Sequence, residues 1–579
     1  MKLSDYIIDF LVKKEIPYVF EVCGGSIVHL LDSLYGRKDI SSISMHHEQA
    51  VAMAAEGFSR ISGNVGIGMA TSGPGATNLI TGIASCFFDS IPCIFITGQV
   101  NTYEFKFNRP VRQMGFQETD IVNIVKPIVK NAILITEPNK IRYYLERACC
   151  LAACGRPGPV LLDIPMNVQR AQINPSKLKG YRHRFDEGTL DGSTLNSIVK
   201  TMNSSSRPVV LAGGGVRLSK SSDELLKFIN KTGLPVVTSL MGLDAIPHNH
   251  PAFVGMIGTY GNRYANLAIA NADFLLVLGT RLDTRQTGTK PETFCRKAKI
   301  IYVNIEPECL SNKIKAEFIV KSDIREFLAR FNRKITHYDK KRIRPWKKRI
   351  RQHKEAYPSY TPSADNAIKP NFFMYKLSEF LPENAIICTD VGQNQMWAAQ
   401  TLDIKKSQRF LAVGGMGAMG SSLPMAIGAS YAKPGRIIVV IAGDGGFQLN
   451  IQELQTVYHN HLPVKIILLN NHCYGMVRQF QEQYFNRRFQ STVIGYSCPD
   501  FKEVLSAYKI PANRINHTCQ IDNALKKLFK DKKPRFLEVD IKSDLAVKPK
   551  LSVNKPIEDQ DPVLPRGELK ENMLIDILP

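Results

Sequence analysis

The stretch from Ile437 to Asn471, IIVVIAGDGGFQLNIQELQTVYHNHLPVKIILLNN, decides how the rest of the chain is read. A β-branched apolar run, Ile437 to Ile441, ends at Gly443-Asp444-Gly445-Gly446. A helical pattern follows, with Leu449, Leu454 and Val457 on one side, and a second apolar run, Val464 to Leu469, ends at Asn470-Asn471. Strand, turn, helix, strand is a βαβ unit, and runs this uniformly apolar belong to parallel strands covered on both faces. Both polar clusters then fall at carboxyl ends of strands, where open α/β sheets bind ligands.

Gly443, Gly445 and Gly446 let backbone N–H groups approach a phosphate at the start of the next helix. Asp444 offers a carboxylate oxygen and Asn471 an amide oxygen, 27 residues apart, which is one helix plus one strand. Mg²⁺ takes a few such hard oxygens and completes its octahedron with diphosphate and water. A Gly-Asp-Gly alone suits an ordinary turn. The flanking strands and the double Asn point instead to a metal–diphosphate site.

The same alternation extends in both directions. Tyr18 to Phe20, Ile43 to Met45, Val65 to Met69, Ile94 to Ile96 and the run GRPGPVLLDIP (Gly155 to Pro165) read as strands of a first sheet. Pro208 to Leu211, Pro235 to Val237, Phe274 to Leu278 and Ile300 to Ile305 read as a second. The expected fold is α/β, three doubly wound Rossmann-like domains with parallel sheets. Their expected limits are residues 1–170, 190–330 and 370–545. A polar linker, Arg170 to Ser193, separates the first two, a basic linker spans 331–369, and an extended tail spans 546–579.

Composition narrows the function. The content of 44% hydrophobic and 22% charged residues is that of a globular protein, and 579 residues suffice for several domains. No apolar run is long enough to span a bilayer; Ile80 to Thr97 is interrupted by Asp89 and Pro92. Asp5 and Asp9 break any signal-peptide core, so a cytoplasmic protein of bacterial type is expected. Twelve scattered cysteines without a CxxC pair fit free thiols in a reducing compartment. Much of the net charge of +23 sits in RFNRKITHYDKKRIRPWKKRIRQHK, Arg330 to Lys354. No nucleic-acid module accompanies it, and it reads as a solvated surface helix and linker rather than a nucleic-acid site.

In GDGGF, QLN, LLNN and YGMVRQFQ the chain resembles the thiamin diphosphate-dependent enzymes, most closely the acetolactate synthase (acetohydroxyacid synthase) large subunits. The resemblance runs from Glu21 to about Asp540. It implies that Asp444, Asn471 and the carbonyl of Cys473 hold Mg²⁺, and that Gly392, Gln393 and Asn394 form a second diphosphate loop. It implies that the Gly417 carbonyl and the Met419 side chain fix the bent shape of the coenzyme. The run HHEQAVAMAAEGFSR implies that Glu48 is the catalytic acid facing the coenzyme's ring nitrogen, and Gln117 the neutral donor to the reacting carbonyl. On residue pattern alone, Glu48 also suits a helix first turn that complements the dipole.

In the middle segment, Gly213-Gly214-Gly215 follows a strand, which is a weak signal for a diphosphate cradle by itself. GMIGTYGN (Gly255 to Asn262) and GTRLDTRQTG (Gly279 to Gly288) resemble the FAD-contacting segments of acetolactate synthases, with Arg281, Asp283 and Arg285 facing flavin or substrate. The family implies decarboxylation of pyruvate or another 2-keto acid, then transfer of the two-carbon unit to a second carbonyl. It also implies a homodimer or homotetramer in which Glu48 of one chain faces the Asp444 loop of the other, and leaves a regulatory subunit open. The acceptor half departs from the family. Phe480 stands where biosynthetic enzymes carry Trp, Thr259-Tyr260 replaces Met-His, and the loop from Gln99 to Gln117 is longer and carries Arg109 and Arg112. A relative that acts on a keto sugar, a simple decarboxylase and a non-catalytic binding protein are the alternatives.

Overall fold

The computed structural model describes residues 1–182, 190–310, 313–362 and 366–578. The first sheet contains β1 (Tyr18–Glu21), β2 (Ser41–Ser44), β3 (Gly66–Ala70), β4 (Cys93–Gln99), β5 (Asn131–Leu134) and β6 (Val160–Pro165), in the order β2-β1-β3-β4-β6-β5. The second contains β7 (Pro208–Ala212), β8 (Val236–Thr238), β9 (Phe253–Met256), β10 (Phe274–Leu278), β11 (Lys299–Asn304) and β12 (Phe318–Lys321), in the order β12-β11-β10-β7-β8-β9. The third contains β13 (Ile386–Thr389), β14 (Arg409–Leu411), β15 (Ile438–Gly443), β16 (Val464–Asn470), β17 (Ala512–Ile515) and β18 (Arg535–Asp540), in the order β14-β13-β15-β16-β18-β17. Every pairing within these sheets is parallel. The first and third sheets therefore share one topology. The second, counted from its own first strand, runs 3-2-1-4-5-6, the dinucleotide-binding order.

Five helices frame the loops and the domain contact: α1 (Glu48–Ser62), α2 (Arg344–Ala356), α3 (Gln393–Thr401), α4 (Ser422–Ala432) and α5 (Gly475–Tyr484). The His47 side chain caps α1 by accepting from Gln49 N–H, and Gly63 ends it with φ +73°. Helices α1 and α4 join the first and third domains. They cross at two glycines, where a Cβ on Gly57 would lie 2.1 Å from the Met425 carbonyl oxygen and one on Gly428 would lie 1.9 Å from that of Ala54. Only bare backbone fits there, so the helices touch main chain to main chain. One apolar core, including Val51, Ala54 and Phe58 with Leu423, Met425 and Ile427, runs through the contact.

One expectation changes, and two others gain detail. The segment after Asp444 is not one helix. It is helical over Asp444–Phe447, tightens into a 3₁₀ turn over Gln448–Glu453, and resumes over Leu454–His459. Asn450 leaves helical geometry (φ −134°, ψ 32°), because its amide donates to the Gly420 carbonyl at 2.8 Å and to Gln49 Oε1 at 3.2 Å. Leu449 consequently faces outward, 51% exposed, while Leu454 and Val457 are buried. The basic stretch is largely helical: Arg330 to Lys334 form the end of a helix, Ile324–Lys334, of the second domain, and α2 lays Trp346 and Ile350 onto that domain. The tail is an ordered strap. Its short antiparallel pair, Lys550–Leu551 with Gln560–Asp561, and the helix Arg566–Asn572 run over the second domain, where Glu558 pairs with Arg296 at 2.8 Å. The first expected linker lies partly outside the described residues, as do residues 363–365 of the basic one and Pro579 of the tail. Among the described residues no helix is long and apolar enough to cross a membrane.

Candidate functional site

Strands β15 and β16 are neighbours in register, Gly443 beside Leu469, so the loops that follow them meet. Asp444 and Asn471 are buried there. The Asn471 amide points one end at Asp444 Oδ1, 3.0 Å away, and at the Cys473 carbonyl oxygen, 2.9 Å away. Its other end, Nδ2, donates to Gln393 Oε1 at 3.0 Å. Gln393 in turn donates through Nε2 to the Leu545 carbonyl at 3.2 Å, and a carbonyl can only accept. This relay fixes the oxygen of Asn471 towards Asp444 and Cys473, so three oxygens converge with no hydrogen among them. Oxygens on adjacent vertices of a Mg²⁺ octahedron sit about 2.9 Å apart, given metal–oxygen distances of about 2.0–2.1 Å. The donor set therefore fits a hard divalent cation. Burial raises the Asp444 carboxyl above its ordinary value, against the pull of the Tyr496 hydroxyl, which donates to Asp444 Oδ2 at 2.6 Å. A buried carboxylate without a cation of its own is what an added metal would compensate.

The loops around this cluster are held from behind. Asp390, after β13, accepts from Gly420 N–H (2.9 Å), Ser422 N–H (3.1 Å) and Ser422 Oγ (2.7 Å), which ties the Gly415–Gly420 loop to the sheet. Asn394 spends its amide protons on the Asp390 and Ile441 carbonyls, at 2.9 and 3.1 Å. The side chains of Gln393 and Asn394 thus hold structure, and the groups they leave for a phosphate are backbone N–H at the start of α3. Gly475 admits this arrangement, since a Cβ there would lie 2.0 Å from Gln393 Oε1. Gly417 (φ +68°) is exposed at the rim of the loop, and Met419 is half-buried.

The first domain brings a second group together. Glu48 starts α1, and its Oε2 accepts from Asn78 Nδ2 at 2.9 Å. Gly75 lies beside its Oε1, and the adjacent Gly73 lies against Gln117, which adopts φ +62°. Glu48 and Gln117 therefore flank one glycine-rich loop, Thr71 to Asn78. Among the described residues no hydrogen bond links Glu48 to the Asp444 cluster of its own chain.

A cavity of about 460 Å³ opens where the order of the second sheet reverses. Gly214, Arg281 and Arg285 line one wall, and Gly392, Gly417 and Met476 line the other. The N–H groups of Gly213 and Gly215 are already bonded to the carbonyls of Leu278 and Gly279, so of the three glycines Gly214 is the one with its N–H free of these bonds. The size, the placement and the cations suit a dinucleotide such as FAD. Asp283 caps a short turn through Arg285 N–H and lies 3.5 Å from Arg281.

Sequence reasoning passed over Tyr496, Asp390 as a brace, and Asp89, whose carboxylate accepts from Gly414 and Gly415 N–H at 3.0 and 2.7 Å. A buried acid before Ser-Ile-Pro was the available signal for Asp89; Tyr496 offered none.

Three parallel sheets with loop tips of this kind define a coenzyme-binding α/β protein, and comparison says which. Residues 1–124 match the N-terminal TPP-binding domain of thiamine pyrophosphate enzymes, 195–331 their central domain and 390–539 their C-terminal TPP-binding domain. The chain belongs to the thiamine pyrophosphate enzyme family. Within it, the chain is 37% identical to the probable acetolactate synthase large subunit of Methanocaldococcus jannaschii over 555 residues, 93% of this chain and 92% of that one. It is 34% identical to acetolactate synthase 1, chloroplastic, of Zea mays over 592 residues, covering 99% and 89%. To the chloroplastic acetolactate synthase of Arabidopsis thaliana it is 36% identical over 555 residues, covering 93% and 81%.

Proposed function

We propose that the chain is a thiamin diphosphate- and Mg²⁺-dependent carboligase of the acetolactate synthase type, which decarboxylates pyruvate or a related 2-keto acid and passes the two-carbon unit to a second carbonyl. The observation that carries this reading is the convergence of Asp444 Oδ1, the Asn471 amide oxygen and the Cys473 carbonyl beside a glycine-rich helix start. The names of the relatives supply the reaction class. When bound, the coenzyme supplies the electron sink that decarboxylation of a 2-keto acid requires.

The chain's own residues orient and exclude. Asp444, Asn471 and Cys473 would hold the metal, and N–H groups after β13 and β15 would hold the diphosphate. Glu48, steered by Asn78, would hold or return a proton at the coenzyme's ring nitrogen. Gln117 offers a neutral donor to a carbonyl oxygen, which stabilises developing negative charge without supplying a full proton. The cavity of the second domain would take FAD, with Arg281 as a cation on its wall. In this reading Glu48 serves the Asp444 cluster of a partner chain in a homodimer or larger assembly.

Titration calorimetry with Mg²⁺ and thiamin diphosphate, followed by mass spectrometry of the products formed from pyruvate, tests the proposal. Tight metal-dependent binding and release of CO₂ with a carboligation product are expected. Failure to bind the coenzyme would remove the reading, and a purified protein that releases no flavin on denaturation would remove FAD from it.

A further inference from the structure

Helix α5 and the segment that follows β18 leave the metal loop together and run outward side by side. Arg478 Nη2 donates to the Asp544 carbonyl at 2.9 Å, Gln479 bonds both the N–H and the carbonyl of Val547 at 2.9 Å, and Gln483 Oε1 accepts from Lys550 Nζ at 2.8 Å. The Leu551 N–H then pairs with the Thr259 carbonyl at 2.7 Å, which locks the end of this run against the second domain. Lys550 is thereby placed over two aromatic rings of α5, with Nζ 5.5 Å from the centre of Phe480 and 5.6 Å from that of Tyr484. Both rings are more than 40% exposed. Across from them Arg285 stands 5.6 Å from the ring centre of Tyr260, on the cavity wall.

No carboxylate lies within ion-pair distance of Lys550 or Arg285 among the described residues. Burial lowers the affinity of the Lys550 amine for its proton, Asp561 partly offsets this, and the Arg285 charge lowers it further. The rings and Gln483 Oε1 partly compensate the two charges, and an anion between them would offset the repulsion that remains. The positions set the scale. Met476 lines the cavity with Gly392 and Gly417. Phe480 lies about 6 Å farther along the helix axis and Tyr484 about 12 Å farther, at 1.5 Å per residue. A carboxylate bonded directly to a reacting carbonyl carbon spans only about 3 Å. It cannot stay at the inner wall and also reach Lys550.

Resting on the carboligase reading above, we propose that Lys550, Arg285, Phe480 and Tyr484 form an acceptor subsite for a carbonyl compound that carries a phosphate or carboxylate several bonds beyond its carbonyl. The rings take the intervening carbon chain or sugar face, and the two cations take the distal anion. Lys550 is the member that sets the preference for charge.

Equilibrium binding to the Mg²⁺–thiamin diphosphate-loaded protein tests this by titration calorimetry with two matched pairs, fructose 6-phosphate against fructose and 2-ketoglutarate against 2-ketobutyrate. The charged member of at least one pair should bind about tenfold or more tightly, and the pair that responds tells phosphate from carboxylate. Lys550→Met, which keeps most of the stem, should erase the advantage, and Lys550→Arg should keep most of it. Equal affinities within both pairs, or an advantage that survives Lys550→Met, overturn the subsite. Because the readout is binding, it fails or stands separately from product formation: an absent carboligation product counts against the function, not against the anion preference.

Discussion

Asp444 and Asn471 could be picked out because each directly follows a buried apolar strand, where side-chain type alone limits the chemistry. The side chains that aim them could not. Cys473 contributes a carbonyl, which any residue type would offer, and Tyr496 reaches Asp444 from an irregular stretch 25 residues beyond Asn471. Tyr496 and Gln393 act as positioning residues, one on Asp444 and the other on Asn471. Tyr496→Phe removes a charge-assisted hydrogen bond and leaves the ring packed on Tyr474, 4.6 Å between centres. Weakening of Mg²⁺ binding in the presence of thiamin diphosphate by about tenfold to a hundredfold is expected, read by calorimetry with the coenzyme held at saturation. Unchanged affinity would show that Asp444 needs no such support. Glu48→Gln keeps the size and the bond to Asn78 but removes the ionisable group. Coenzyme binding should persist while turnover falls at least about a hundredfold, and near-normal turnover from pyruvate would take the proton-transfer role away from Glu48.

At the scale of elements, most interior strands were legible and most edges were not. Val160 to Pro165, Ile438 to Ala442 and Val464 to Asn470 are buried along their length and read as apolar runs. Of the strands that escaped, β5, β9, β12, β14 and β17 lie at sheet edges, while β18 is interior. At the edges one side of the ladder is free, polar residues intrude, as in Ala-Asn-Arg-Ile of β17, and the run shortens to three or four residues. Asn450 makes the complementary case: a helical pattern in the sequence gave way because two acceptors on other elements outbid its own backbone. One interior strand also stores a pH dependence. Asp163 on β6 accepts from Thr97 Oγ1 at 2.7 Å and Gln99 Nε2 at 2.9 Å on β4, and burial pushes its carboxyl up to about 7. The folded chain then holds a proton that the unfolded chain, with a carboxyl near 3.8, releases. Stability from this group is present below about pH 4 and falls as pH rises to about 7, by a few kcal/mol at about 1.4 kcal/mol per unit. Asp163→Asn should flatten that fall, measured by urea unfolding at pH 5 and pH 8. A slope equal to that of the parent would place the titration elsewhere.

For the whole molecule, the question is whether one chain can complete a site. Helices α1 and α4 fuse the first and third domains so closely that Gly57 and Gly428 meet opposing backbone, which leaves little freedom to bring Glu48 towards Asp444 by sliding. Each half instead presents open apolar surface. Phe107 and Phe116 in the long loop of the first domain are 51% and 86% exposed, and Met416 and Leu449 around the third domain's loops are 44% and 51% exposed. Apolar side chains gathered at loop tips that also carry polar catalytic candidates are the mark of a surface that a second copy covers. If Glu48 of one chain serves the Asp444 cluster of the other, two inactive variants should rescue each other. In a mixed dimer of Glu48→Gln and Asp444→Ala, one site collects both lesions and the other collects neither. Random co-assembly makes half of the dimers mixed, each with one sound site of two, so about a quarter of the parent activity should return. The two variants are to be co-expressed with different tags, the mixed species isolated on both, and CO₂ release from pyruvate compared with that of each variant alone. Purified mixed dimers should reach about half the parent rate. If they stay as inactive as the single variants, Glu48 and Asp444 act within one chain, and the rigid α1–α4 contact would have to open for them to meet.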